Sequence, residues 1–326
     1  MNRESSFRET RHGTEHLPLC YPPAVNRKSF LVVGNGRLGS ALAHGLRAAG
    51  HKVSKIASRS SPRPRKVSAD VVWFCVPDSQ IVEAAASFSS FNLRGRYAFH
   101  SSGTITSEAL HPLRVAGASV ASVHPLMTFV KGSVPNLADV PFAMEGDDSA
   151  IRLARTIIRD LDGRPVVIKP RNKVAYHAFA TMICPLLVSL LATAEKAATL
   201  AGMSEREARR RMMPIIRQTL RNYEKLGPAA AFSGPIVRGD VETVRAHLQT
   251  LGPQPNTRAV YLALARAALE SLPSANPRGL TGILNNPRPT QRQLRTLAIT
   301  SYDFRTKTRR NGIRTNRVRR PPVHQP

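Results

Sequence analysis

Six residues near the start of the chain have the types and spacing to hold a dinucleotide: Gly34, Asn35, Gly36, Arg37, Leu38 and Gly39 read G-x-G-x-x-G. In that pattern the first glycine allows a tight turn, the second lets backbone approach a pyrophosphate, and the third permits close packing of the helix that follows. The helix start then offers free N–H groups and the positive end of its dipole to the phosphates. The pattern alone is weak, but here it follows an apolar run, Phe30 to Val33, and opens a segment where Leu42, Ala43, Leu46 and Ala49 recur at helical spacing. About 20 residues past the last glycine, a site for NAD would place Asp or Glu on the ribose hydroxyls. This chain instead has Ser58, Arg59 and Ser60, with Arg63, Arg65 and Lys66 close behind. Cations and hydroxyls there suit a 2′-phosphate, so NADP(H) is the expected cofactor. A solvated basic loop is the plainer alternative.

Three further segments fall at or just beyond expected strand ends, where open α/β sheets collect ligands. They are Val76-Pro77-Asp78-Ser79, His100-Ser101-Ser102-Gly103 and His124-Pro125-Leu126. Val76 and Pro77 are expected beside the cofactor. Ser101, Ser102 and His124 are candidate substrate ligands, although Ser, His and Gly are also ordinary turn residues. No G-x-S-x-G elbow and no H-E-x-x-H spacing occurs, which argues against a serine hydrolase and a metal site.

Lys173 and His177 lie four residues apart and share a helix face that Thr181 and Cys184 continue. Polar residues in a row on an otherwise apolar helix need partners or water. A lysine with a pKa lowered by partial burial could protonate a group that receives hydride, with His177 orienting substrate or relaying the proton. A solvated lysine and a satisfied core histidine explain the same residues equally well. Ser233, Arg238 and Asp240, in the turn Ser-Gly-Pro-Ile-Val-Arg-Gly-Asp, could complete such a site, with Arg238 clamping a substrate carboxylate and Asp240 holding it in place.

These residues need a scaffold, and the pattern of apolar runs supplies one. Strands are expected at Phe30 to Val33, Val53 to Ala57, Val71 to Val76, Tyr97 to His100, Ser119 to Val123, Pro141 to Met144 and Val166 to Ile168, with helices between several of them. Beyond Lys169 long helices take over, at Lys173 to Ala201, Glu205 to Lys225, Val241 to Leu251 and Arg258 to Leu272. The fold class is α/β: a Rossmann-type parallel sheet domain followed by a mainly α-helical C-terminal domain. The boundaries read as a flexible segment over 1–28, the dinucleotide domain over 29–124, a helical substrate and dimerisation domain over 125–274, and a basic, disordered tail over 275–326.

Composition sets the outer limits. The 326 residues, 42% of them apolar, can build real cores, which excludes disorder of the whole. The net charge of +27 is the outlier; from Arg278 onward 12 Lys/Arg face one acid, Asp303, so +11 of the total lies in the tail and +16 on the rest. Nucleic acid would be reached only through that tail, and a solvated basic surface is the preferred reading. Cys20, Cys75 and Cys184 lack metal or redox spacing and read as unpaired thiols. No secretory signal is evident in the first thirty residues, so a cytoplasmic location is expected. The uncharged stretch Ala178 to Ala194 contains Pro185 and reads as a buried helix rather than a membrane span.

At His100 to Gly103, Ser122 to Phe129, Lys173 to His177 and Ser233 to Asp240, the chain resembles the Rossmann-like proteins that carry the C-terminal domain of unknown function 2520. The resemblance runs from about Phe30 to Leu272 and leaves both tails outside. It implies a relative of ketopantoate reductases, pyrroline-5-carboxylate reductases and β-hydroxyacid dehydrogenases, which move hydride to or from NADP(H). It also tips Lys173 and His177 towards catalysis and the helical half towards a homodimer. The expected function is reduction of a small oxo acid or imine, the substrate being anionic; the alternative is a non-catalytic NADP(H) sensor or scaffold with a polyanion-binding tail. One departure bears on activity: further along the helix from Tyr176-His177 the family tends to carry Ser-Asn where this chain has Cys184-Pro185, so an amide able to hydrogen-bond substrate is missing. Ser233 in place of the usual Thr keeps a hydroxyl.

Overall fold

The computed structural model describes residues 27–57 and 65–286, and these divide into two compact units on either side of the Pro185–Leu186 bond. The first is built on seven strands: β1 (Ser29–Val33), β2 (Lys52–Ile56), β3 (Val71–Phe74), β4 (Tyr97–His100), β5 (Ser119–Pro125), β6 (Pro141–Gly146) and β7 (Arg164–Val167). They form one sheet in the order β2-β1-β3-β4-β5-β6-β7, parallel except where β5 meets β6. The helices of this unit are α1 (Arg37–Ala48), α2 (Ile81–Ala86), α3 (His111–Val115), α4 (Asp148–Asp160) and α5 (Lys173–Ile183).

Strand β1 shows why the sheet is sandwiched. Its residues alternate between two cores: Phe30 and Val32 join Leu42, Leu46 and Ile157 of α1 and α4, whereas Leu31 and Val33 join Ile81, Ala85 and Leu113 of α2 and α3. Side chains on a strand point to opposite faces with period two, so a continuous apolar run fits only a sheet covered on both sides. Because β2 lies on one flank of β1 and β3 on the other, the connections leave in opposite directions and open a crevice at the carboxyl ends of the strands.

The sheet does not stop at residue 124. β6 and β7 extend it to Val167, so the stretch assigned to the helical domain begins with sheet. The long helix expected over Lys173 to Ala201 is broken at Cys184 (φ −121°, ψ −83°), because Pro185 has no N–H to donate and disfavours helical geometry in the residue before it.

The second unit contains α6 (Pro185–Thr199), α7 (Glu205–Ala231, kinked at Gly227), α8 (Pro235–Arg238), α9 (Val241–Thr250), α10 (Pro255–Ser271) and α11 (Pro277–Asn285). Here the expectation of a disordered tail from residue 275 fails over α11. Asn276 caps α11 by accepting the Gly279 N–H at 3.0 Å, and Leu280 and Leu284 are buried with Val244, Leu248, Leu262 and Ala265. The expected burial of Ala178 to Ala194 fails as well: Phe179, Met182, Leu186 and Val188 are exposed. Pro170–Thr199 is long and apolar enough to cross a membrane by length and composition.

Candidate active site

The glycine loop leaves the end of β1 in a conformation that requires its sequence. Gly34 has φ +114°, and a Cβ there would lie 2.4 Å from the Cys75 carbonyl oxygen; one on Gly39 would lie 2.2 Å from the Gly34 carbonyl oxygen. Both must be glycine for β1, α1 and the end of β3 to pack. Gly36, the residue capping α1, differs: a Cβ there would meet nothing within 4 Å. Its missing side chain therefore serves open space, which is where a pyrophosphate would approach backbone. No acid occupies the first turn of α1, and Asn35, Gly36 and Arg37 are exposed. Leu38 packs against the core, and Val76 lies against Gly34, lining the loop from the β3 side with exposed Pro77 next to it. These residues fit a dinucleotide. The Lys55 ammonium donates to Asn35 Oδ1 at 3.0 Å, adding a cation that glycine spacing does not reveal. Ser58, Arg59 and Ser60 lie outside the described residues, as does Cys20.

Beyond β4 the chain builds a compact polar loop. His100, fully buried, donates from Nε2 to the Thr106 carbonyl and accepts the Ser102 N–H at Nδ1, at 3.0 and 3.2 Å. That pair of bonds fits the neutral ring, and burial takes its pKa down to about 4. The Ser102 hydroxyl donates to Asp78 at 2.7 Å and accepts from the backbone N–H groups of Thr104 and Ile105; the Thr104 hydroxyl also donates to Asp78. The Ser101 hydroxyl accepts the Trp73 indole N–H at 2.8 Å. Both serines are buried and occupied by protein partners, so they shape the loop rather than present free hydroxyls to a substrate.

Lys173, at the start of α5, is 1% exposed. Its ammonium donates to the Ser102 carbonyl at 3.0 Å and to the Ser122 hydroxyl at 2.6 Å, with Glu145 Oε1 at 3.9 Å. Glu145, also buried, accepts from the backbone N–H and hydroxyl of Ser107. Burial lowers the lysine pKa, opposed by Glu145 and Asp78, which matches the direction expected from sequence. The placement does not match: the group is enclosed among protein acceptors and is absent from the pocket wall. It ties α5 to the loop after β4 and to the middle of β5.

His177, one turn further along α5, is half-buried. Its ring lies 5.8 Å from that of His124, edge to face, and both rings crowd Gly103, where a Cβ would come within 2.2 Å of His177 Cδ2 and 3.0 Å of His124 Nε2. Burial holds the His124 pKa down to about 4, helped by Lys173 and His177, and its Nδ1 has no hydrogen-bond partner. These rings open on a pocket of about 450 Å³ walled by Leu126, Met127, Thr181, Ile183 and Cys184. Thus Thr181 and Cys184 share the face with His177, as their spacing predicts.

In the second unit, Ser233 is exposed, and the positive φ of Gly234 and Gly239 shapes the turn that holds Arg238 and Asp240. Arg238 binds one oxygen of Asp240 through two nitrogens, at 2.9 and 2.7 Å, so the expected brace is present.

A mostly parallel sheet with a switch point, a glycine cradle and a pocket edged by two histidines at the strand ends defines a Rossmann-type dinucleotide-binding fold. Residues 140–268 match the family described as Domain of unknown function (DUF2520). Three solved structures share the fold. A Bacteroides fragilis protein classed as an NADP oxidoreductase is 19% identical (TM-score 0.60), with 75% of this chain and 98% of that chain covered. An imine reductase from a Pseudomonas species is 18% identical (TM-score 0.54), covering 76% and 95%. A reductive aminase from Aspergillus terreus, in complex with NADPH and ethyl-5-oxohexanoate, is 12% identical (TM-score 0.54), covering 75% and 94%. No curated protein sequence matches the chain.

Proposed function

We propose that this chain is an NADP(H)-binding oxidoreductase that reduces a small carbonyl compound or imine. The observation that carries this reading is the convergence, at the carboxyl ends of one sheet's strands, of a glycine cradle open at Gly36 and a pocket edged by His124 and His177. The NADPH in the reductive aminase and the activity of the imine reductase support it by analogy of fold.

The Gly34–Gly39 loop would hold NADPH, which when bound would supply the hydride for the carbon of a C=O or C=N group. His177 holds the proton that the heteroatom takes up and regains one from water, which reaches a half-buried ring. His124, kept neutral, orients the substrate by a hydrogen bond from or to its ring. Lys173 is a positioning residue: by holding the Ser102 carbonyl and Ser122, it fixes the start of α5 and with it His177 against Gly103.

Titration of NADPH and NADH into the purified protein tests this. One or two charge-assisted bonds to the 2′-phosphate, at about 1.5–3 kcal/mol each, predict at least about a tenfold preference for NADPH. Gly36→Val should abolish binding of both by filling the open side of the cradle. Equal affinities would remove the NADP preference, and no binding of either would sink the reading. Binding without turnover of any carbonyl or imine would favour a sensor.

We also propose a homodimer. α7 has 27 residues and buries only Ala208, while Ile215, Leu220, Tyr223 and Leu226 are exposed. On α5, Lys173 is buried and Val174 and Met182 are exposed, the reverse of a helix that meets water on its outer side. Apolar surface of this extent marks an interaction site, and a second copy of the chain is the partner that would cover it.

A further inference from the structure

An anionic substrate is held best by a free cation, and the two cations among the candidate catalytic and substrate-binding residues, Lys173 and Arg238, both have partners. Lys173 is enclosed, its ammonium held by the Ser102 carbonyl, the Ser122 hydroxyl and Glu145. Arg238, the expected carboxylate clamp, is paired with Asp240 through two nitrogens. The walls of the pocket at His124 and His177 carry no Lys, Arg, Asp or Glu; they offer Leu126, Met127, Ile183 and Pro185, with the hydroxyls of Thr128 and Thr181. A carboxylate moved from water onto such walls loses its hydration and gains no counter-charge. An uncharged molecule keeps the benefit of apolar burial and needs only one or two hydrogen bonds to fix its orientation.

We infer that the substrate is an uncharged ketone, aldehyde or imine with an apolar body, packed on Leu126, Met127 and Ile183 and oriented by the His124–His177 pair. This rests on the reductase reading and narrows it away from oxo acids.

A matched pair of probes separates the two classes. With the full-length protein and saturating NADPH, methyl 2-oxohexanoate should be reduced with kcat/KM at least about tenfold above 2-oxohexanoate, the pair differing only in the carboxylate charge that the pocket does not balance. Equal rates, or a faster acid, would overturn the substrate class while leaving the reductase standing. No NADPH oxidation with either ester or acid, or with cyclohexanone, in protein that binds NADPH would overturn the reductase and this inference together. Thr181→Lys places a cation on the pocket wall and should shift the ester-to-acid ratio towards the acid by about tenfold. An unchanged ratio in a variant that still turns over would show that substrate binds elsewhere. Circular dichroism and NADPH titration confirm that the variant is folded.

Discussion

The sheet unit and the helical unit handle apolar surface in opposite ways. Phe30, Trp73, Phe74, Phe99 and Phe142 lie at 1% exposure or less, covered on both faces of the sheet by helices of the same unit. α7, longer than any strand or any other helix described, leaves Tyr223 and Leu226 at 59% exposed. The difference lies in how each element pairs. A strand between two others obtains backbone partners and two apolar faces within one chain, whereas an amphipathic helix is stable only where something lies against its apolar stripe. The sheet core is therefore covered within the first unit, although α5 leaves apolar side chains such as Val174 and Met182 exposed, and the second holds a small core around α9, α10 and α11 with two long helices left to be covered.

The largest expected effect tests that small core. Ending the chain before Pro277 removes Leu280 and Leu284 from contact with Val244, Leu248, Leu262 and Ala265. Each buried leucine is worth about 2–5 kcal/mol, enough together to unfold a core of this size. Far-UV circular dichroism should show helix lost at lower denaturant, while the fluorescence of Trp73, the single tryptophan and part of the sheet core, keeps its transition. Ending the chain after Asn286 should leave both transitions in place. Helix retained after the longer cut would show that α11 is dispensable.

The next effect falls on the sheet unit. His100 and His124 are buried neutral with pKa values of about 4, below the ordinary 6.5 of an unfolded histidine. Between these values the unfolded chain binds more protons, so stability is fully present above pH 6.5 and is lost as pH falls through about 4. The loss is up to about 3 kcal/mol for each ring. Denaturant melts followed by Trp73 at pH 7, 5.5 and 4.5 should show the midpoint falling progressively, and His100→Gln should flatten the trend. A midpoint independent of pH over that range would show that these rings are not held neutral.

All seven strands and the glycine cradle are legible, because short apolar runs bounded by turn residues and a glycine-defined turn leave direct marks in local sequence. The packed α11 was legible too but outweighed by the basic composition around it: Asn276 as cap, Pro277 in the first turn, and Leu280, Ile283 and Leu284 at helical spacing are all present. Lys173 and His177 were correctly placed on one helix, yet their division of labour was hidden. Whether an ammonium faces solvent or is enclosed depends on Ser102, Ser122 and Glu145, which come from 71, 51 and 28 positions away. The same holds for Ser101 and Ser102, whose partners Trp73 and Asp78 lie in β3 and in the turn beyond it. Spacing shows which residues can share a face, and only the fold shows which of their atoms are already occupied.

The smallest expected effect on folding is the sharpest test of the uncovered helices. Leu220 is 54% exposed on α7, so Leu220→Glu removes little buried area from the single chain and should change its own stability by no more than about 0.5 kcal/mol. The same charge on an apolar face shared with a second copy would be buried without a partner, at a cost that disfavours association. Sedimentation velocity should therefore show a dimer for the unaltered protein and a monomer for the variant, with Trp73 fluorescence melts nearly superimposable. Arg217→Glu, at an exposed position already polar, controls for charge alone and should leave the dimer intact. A monomer before any substitution would leave the apolar stripe of α7 without its proposed partner, and a dimer that survives Leu220→Glu would place the interface on another face.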